Sequence, residues 1–129
     1  MRPLLVDSSW YIQRARSGLD PFVELGSYHR SREIAVCGMI IAEITRGLRE
    51  RSTLQKHQKA WRLMRYIPST QSVWRSTAEL AWQLDRQGRV LPIQDLHIAA
   101  CALSINAVVL TYDRHFEEIP GLDATERIV

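Results

Sequence analysis

The sequence has no apolar run approaching the ~18 residues that a membrane-spanning helix needs. The opening "MRPLLVDSSW" also lacks the roughly 7–15-residue apolar core of a secretory leader, because Asp7 interrupts it. Cytoplasmic residence is the resulting expectation. Cysteine is scarce. Cys37 and Cys101 lie in apolar contexts, make no disulfide framework, and read as buried free thiols. Lysine is scarcer than expected for a basic chain: all of the 17 basic residues except Lys56 and Lys59 are arginine. Arginine's planar fork suits bidentate phosphate contacts, although an arginine-rich genome produces the same bias. Internal repeats, low-complexity tracts and linkers are missing too. With 129 residues, 46% hydrophobic and 24% charged, the chain fits one globular domain over residues 1–129. The net charge of +3 and pI of about 9.2 lean only modestly toward a polyanionic partner.

Short apolar runs then alternate with amphipathic stretches. "RPLLVD", "EIAVC" and "AVVLTYD" have the character of buried strands, and "YIPS" has room for a very short one. "RIV" at the C-terminus fits an edge strand. Helices are expected over "SSWYIQRARS", capped by Ser8 or Ser9, and over "DPFVELGSYHRS", with Asp20 as cap and Pro21 in the first turn. Further helices are expected over "MIIAEITRGLRE", residues 53–65, residues 72–87, and "PIQDLHIAACALSIN". This alternation predicts an α/β fold, a three-layer α/β/α sandwich around a mostly parallel sheet. Ligands of such sheets collect at the strands' carboxyl ends, where Asp7 and Asp113 fall.

Taken singly, Asp7 reads as a helix cap before Ser8 and Ser9, and Asp113 as a turn residue or cap for "RHFEEI". Asp95, three residues after Pro92, suits the positive end of its helix, yet shares a face with Ala99 and Ala102. Glu43 sits mid-helix beside Ile40, Ile41 and Ile44. Its ordinary partner would be Arg46, and Gly47 on the same face suggests close approach of another group. Jointly, four carboxylates at one sheet edge repel one another unless a cation neutralises them. An all-oxygen donor set suits Mg²⁺ or Mn²⁺, which keep positions open for a phosphate oxygen and a water nucleophile. In a basic protein, such a site points to phosphodiester hydrolysis.

The segments "LLVDSSWYI", "IIAEITRGL", "LPIQDLHIAACAL" and "LTYDRHFEEIPGL" resemble, in that order and along the whole chain, the PIN-domain ribonucleases, specifically the VapC-type toxins of toxin–antitoxin pairs. The resemblance implies a PIN fold and Mg²⁺- or Mn²⁺-dependent RNA cleavage. It implies an acidic quartet at Asp7, Glu43, Asp95 and Asp113, frequent homodimerisation, and inhibition by a cognate antitoxin. Thr111 matches a threonine often found two residues before the last acid. In this reading Asp7 and Asp95 anchor the metal, while Glu43 and Asp113 complete the site. Ser8, Ser9 and Thr111 orient ligands or waters from behind, or else serve only as caps and strand-end bonds. Arg46, Arg49, Arg51, Arg86, Arg89 and Arg114 are candidate phosphate contacts, which a solvated helix face explains equally well. His97 turns away from Asp95 and is expected in the core or exposed. His115 is expected at the surface. The four tryptophans (Trp10, Trp61, Trp74 and Trp82) are expected in the core or at a subunit interface. A phosphatase or receiver domain is disfavoured, because Ser9 stands where Asp-x-Asp is needed and no lysine follows Lys59. The alternative is a catalytically inactive RNA-binding or protein-interaction module of the same fold.

Overall fold

Leu4, Leu5 and Val6 are fully buried, as are Val109 and Leu110, so the apolar runs become strands covered on both faces. In the computed structural model, which describes residues 1–128, the chain forms β1 (Leu4–Val6), α1 (Ser8–Arg16), α2 (Pro21–Tyr28) and β2 (Ile34–Cys37). It continues with α3 (Gly38–Gly47), α4 (Arg51–Trp61), β3 (Arg65–Ile67), α5 (Gln71–Arg86), α6 (Ile93–Ser104) and β4 (Val108–Leu110). A short 3-10 helix (Arg114–Glu118) and β5 (Ala124–Thr125) follow. The sheet order is β3-β2-β1-β4-β5, and every pairing is parallel.

Topology places the helices. The chain steps from β1 outward to β2 and β3, then crosses back to β4 on the other side of β1. Right-handed crossovers in opposite directions put the connecting helices on opposite faces, which gives the three-layer α/β/α sandwich. On one face Tyr11 of α1, Phe22 of α2, and His57 and Trp61 of α4 form a chain of ring contacts. On the other, α5 packs along α6, and α3 touches both α1 and α6. Register brings the ends of β1 and β4 together: Val6 lies opposite Leu110, and the Asp7 N–H donates to the Leu110 carbonyl at 2.9 Å. Residues leaving β1 and β4 therefore emerge side by side.

Several boundaries differ from expectation for local reasons. The edge strand is Ala124–Thr125, not "RIV". The Thr111 N–H donates to the Thr125 carbonyl, and the Thr125 hydroxyl then donates to the Arg127 carbonyl, turning the chain out of the sheet. Arg127 and Ile128 are outside any strand, and Val129 lies outside the described residues. The helix expected over residues 53–65 stops at Trp61 because Arg65 pairs with Ala35 in β3. The α6 helix ends before Asn106, which takes a left-handed φ of 54°. The α3 helix ends at Gly47, where an added Cβ would meet nothing within 4 Å. No close approach requires that glycine.

Cys37 and Cys101 are free and fully buried. The neighbouring Cys101 thiol, together with burial, pushes the Cys37 thiol far above its usual range. Trp10 and Trp61 are buried, whereas Trp74 and Trp82 are about half exposed. Among the described residues, no helix is long and apolar enough to cross a membrane.

Candidate metal centre

Asp7 follows β1 directly and caps α1, so strand and helix fix its backbone from both sides. Its carboxylate is buried. Its Oδ2 receives the Ser9 hydroxyl at 2.7 Å, the Thr111 hydroxyl at 2.8 Å, and the Ser9 N–H at 3.4 Å. Each hydroxyl has one proton, and both protons are used here. Each hydroxyl oxygen in turn accepts a backbone N–H: that of Tyr112 at Ser9, and that of Asp113 at Thr111. Two hydroxyls thus hold Asp7 by one oxygen and lock the β4 exit onto the β1 exit. Oδ1 of Asp7 has no partner among the described residues.

Asp95 enters from α6. It lies in the first turn, favoured there by the helix dipole, and its neighbours Ala99 and Ala102 on the same face are fully buried. Asp113 caps the 3-10 helix, and its Oδ1 accepts the His115 N–H at 2.9 Å. Glu43 reaches in from α3 and receives the Ser8 hydroxyl at 3.4 Å. The Glu43–Arg46 pair does not form among the described residues. Arg46 is exposed, and Glu43 turns toward the other acids instead.

Asp95 and Glu43 each feel the charges of Asp7 and Asp113. Burial first, then the charges of Asp113 and Asp7, push the Asp95 carboxyl up to about 6, against the His115 hydrogen bond that lowers it. Burial, then Asp7, raises Glu43, with Asp113 adding to the same direction. Both shifts have one physical origin: negative charge gathered in a partly desolvated place.

The expectation for His115 needs correction. Its Nδ1 lies 2.8 Å from Asp95 Oδ2 and 3.1 Å from Asp113 Oδ1, so it stands between two acids rather than idle at the surface. The Asp95 hydrogen bond raises the His115 pKa, with the Asp113 charge acting the same way. The signal was the spacing Asp113-x-His115. An aspartate cap bonds the N–H two residues on, which also carries that residue's side chain back toward the carboxylate. One ligand atom from each of Asp95, Asp113 and His115 falls within 4.8 Å of the others.

His97 is a core residue. Its Nε2 meets the Ser69 hydroxyl at 2.8 Å, its Nδ1 meets the Thr77 hydroxyl at 3.0 Å, and Trp74 stacks on it at 3.9 Å. Ser8, Ser9 and Thr111 each touch an acid. Arg46, Arg49, Arg51, Arg86, Arg89 and Arg114 are all exposed, with Arg86 lying over the Trp82 ring.

The donor set fits a hard divalent cation: oxygen ligands in excess, mutual repulsion to relieve, and an unpartnered Asp7 Oδ1. The PIN-domain family model matches residues 6–122, a span that holds all four acids. The chain belongs to the PIN-domain family. Solved PIN structures share its fold at low identity. The toxin–antitoxin complex VapBC from Salmonella typhimurium, bound to DNA, superposes with a TM-score of 0.81 at 22% identity, covering 97% of this chain and 98% of that one. VapBC-5 from Mycobacterium tuberculosis gives 0.65 at 23%, with 97% of each chain covered. VapC20 from M. tuberculosis, a toxin that cleaves the sarcin–ricin loop, gives 0.60 at 14%, covering 85% of this PIN chain and 89% of that one. No curated protein sequence matches it.

Proposed function

We propose that this PIN protein is a metal-dependent endoribonuclease of the VapC type, the toxin of a toxin–antitoxin pair, held inactive by a cognate antitoxin. One observation supports the activity: Asp95 and Asp113 offer ligand atoms within 4.8 Å of each other beside His115, the charge of Asp7 raises both Asp95 and Glu43, and burial with like charge pushes the Asp95 carboxyl up to about 6. A cluster arranged at that electrostatic cost suits a cation better than it suits stability. The antitoxin reading rests on the solved neighbours, which include VapBC complexes.

Asp7 and Asp95 would hold the ion, with Glu43 and Asp113 completing its surroundings. Bound there, Mg²⁺ or Mn²⁺ supplies Lewis-acid stabilisation of phosphate charge and a water of lowered pKa. The chain's own residues do the positioning. Ser9 and Thr111 fix one oxygen of Asp7 and leave the other without a hydrogen-bond partner among the described residues. Thr111 sets Asp113 through its backbone N–H. His115 keeps Asp95 and Asp113 at a fixed separation, and its imidazolium form offsets their repulsion when no ion is bound. Exposed arginines hold the strand's phosphates.

A second reading has one observation in its favour. His115 already engages both Asp95 and Asp113, so the cluster is partly neutralised without metal. That suits an inactive RNA-binding or interaction module. Incubation of the purified protein with total RNA and Mn²⁺ separates the two. The ribonuclease reading expects cleavage that EDTA stops and that Asp7→Asn or Asp95→Asn reduces at least 100-fold, on the order of 3 kcal/mol of barrier. RNA binding without cleavage, or cleavage indifferent to EDTA, rejects it.

A further inference from the structure

A cleft of about 320 Å³ opens beside the acid cluster, between the β4 exit and the β5 end. Asp113 forms one wall, and Tyr112, Arg114 and Arg127 line the rest with Glu117 and Glu126. It adjoins a second hollow of about 370 Å³, and the two share Tyr112, Glu126 and Arg127. The two hollows are therefore contiguous along Tyr112, Glu126 and Arg127. The cleft's size is that of a small-molecule site.

Three features suit it to a nucleotide. First, Tyr112 is braced. Its N–H donates to Ser9, which holds Asp7, and the Arg14 guanidinium lies 5.7 Å from its ring while bonded to Glu24. An aromatic ring already fixed loses little freedom when a base stacks on it. Second, Arg114 and Arg127 are exposed and carry no ion pair among the described residues, which leaves both forks free for a phosphate. Third, Glu117 and Glu126 repel further phosphates and can accept hydrogen bonds from base amino groups.

We infer that this cleft seats the nucleotide adjoining the scissile phosphate, its base against Tyr112 and its own phosphate between Arg114 and Arg127. The inference rests on the ribonuclease reading above, and it makes Tyr112 a determinant of where the RNA is cut.

The test uses the full chain and a fluorescein-labelled short RNA of mixed sequence. Binding is followed by anisotropy in EDTA across a salt series, and cuts made with Mn²⁺ are mapped by end sequencing. Tyr112→Ala is expected to weaken binding roughly 10-fold and to flatten base preference beside the cut, and Tyr112→Phe to recover most of the loss. Arg127→Ala is expected to weaken binding for all sequences and to lower the salt slope by about one. Because Arg127 is exposed, this variant decides the matter even if Tyr112→Ala fails to fold. If wild type binds and cuts, and the folded variants match it in affinity, salt slope and preference, the cleft is not an RNA subsite, although the ribonuclease stands. If wild type binds without cutting and the variants bind more weakly, the ribonuclease reading fails and the cleft survives as an RNA site. Absence of both binding and cutting overturns both.

Discussion

Asp95 holds its proton more tightly in the folded chain than in the unfolded one, and that sets a sign. Its folded pKa of about 6 lies above the ordinary 3.8, so the folded state binds more protons between those values. Stability of the metal-free protein therefore falls as pH rises from about 4 to about 6, and the loss persists above. The raised His115 acts in the same direction, because its contribution disappears as pH rises through its folded pKa. Asp95→Asn should accordingly raise the metal-free Tm near pH 8 and flatten its pH dependence while removing cleavage, as thermal melts across pH would show. His115→Ala makes the complementary case. It removes the hydrogen bond that lowers Asp95, so the Asp95 carboxyl should titrate above about 6 in a ¹³C NMR titration. An unmoved or lower value would mean that the His115–Asp95 contact is absent in solution. Asp113 was legible in the sequence as a strand-end acid. His115 was less legible: the Asp113-x-His115 spacing marks the fold-back onto the cap, but its contact with Asp95 depends on where α6 packs.

At the scale of elements, helix identity was written in caps and apolar spacing. Asp20 accepts the Phe22 N–H at 2.9 Å with Pro21 in the first turn, as the residues indicate. Ends were less legible, since hydrogen bonds made elsewhere decide them: Arg65 leaves the expected helix because β2 offers a ladder. Gly47 shows the same limit. It looked like a mid-helix glycine kept for a close contact, yet it closes α3 and faces open space. Gly47→Ala should then stabilise the protein by roughly 0.5–1 kcal/mol, because Ala loses less backbone freedom on folding. Chemical denaturation checks it, and a destabilised variant would show that the position is more crowded than the structure indicates.

For the whole molecule, three apolar runs and two strand-end aspartates were enough to predict a mostly parallel sheet with a site at its carboxyl edge. The order β3-β2-β1-β4-β5 was not readable from local pattern, because pairing between distant strands leaves no mark in either one. That order makes β1 and β4 neighbours and so brings Asp7 beside Asp113. Four acids spread over 107 residues of chain, Asp7 to Asp113 inclusive, are drawn toward one sheet edge through it, where Asp95 and Asp113 come within 4.8 Å beside His115. Occupancy of this centre by a divalent cation is read by calorimetric titration of the metal-free protein with Mn²⁺ at neutral pH. Saturable binding with proton release is predicted, abolished by Asp7→Asn and by Asp95→Asn. No binding by wild type, or equal binding by both variants, would mean that these acids do not form a metal centre.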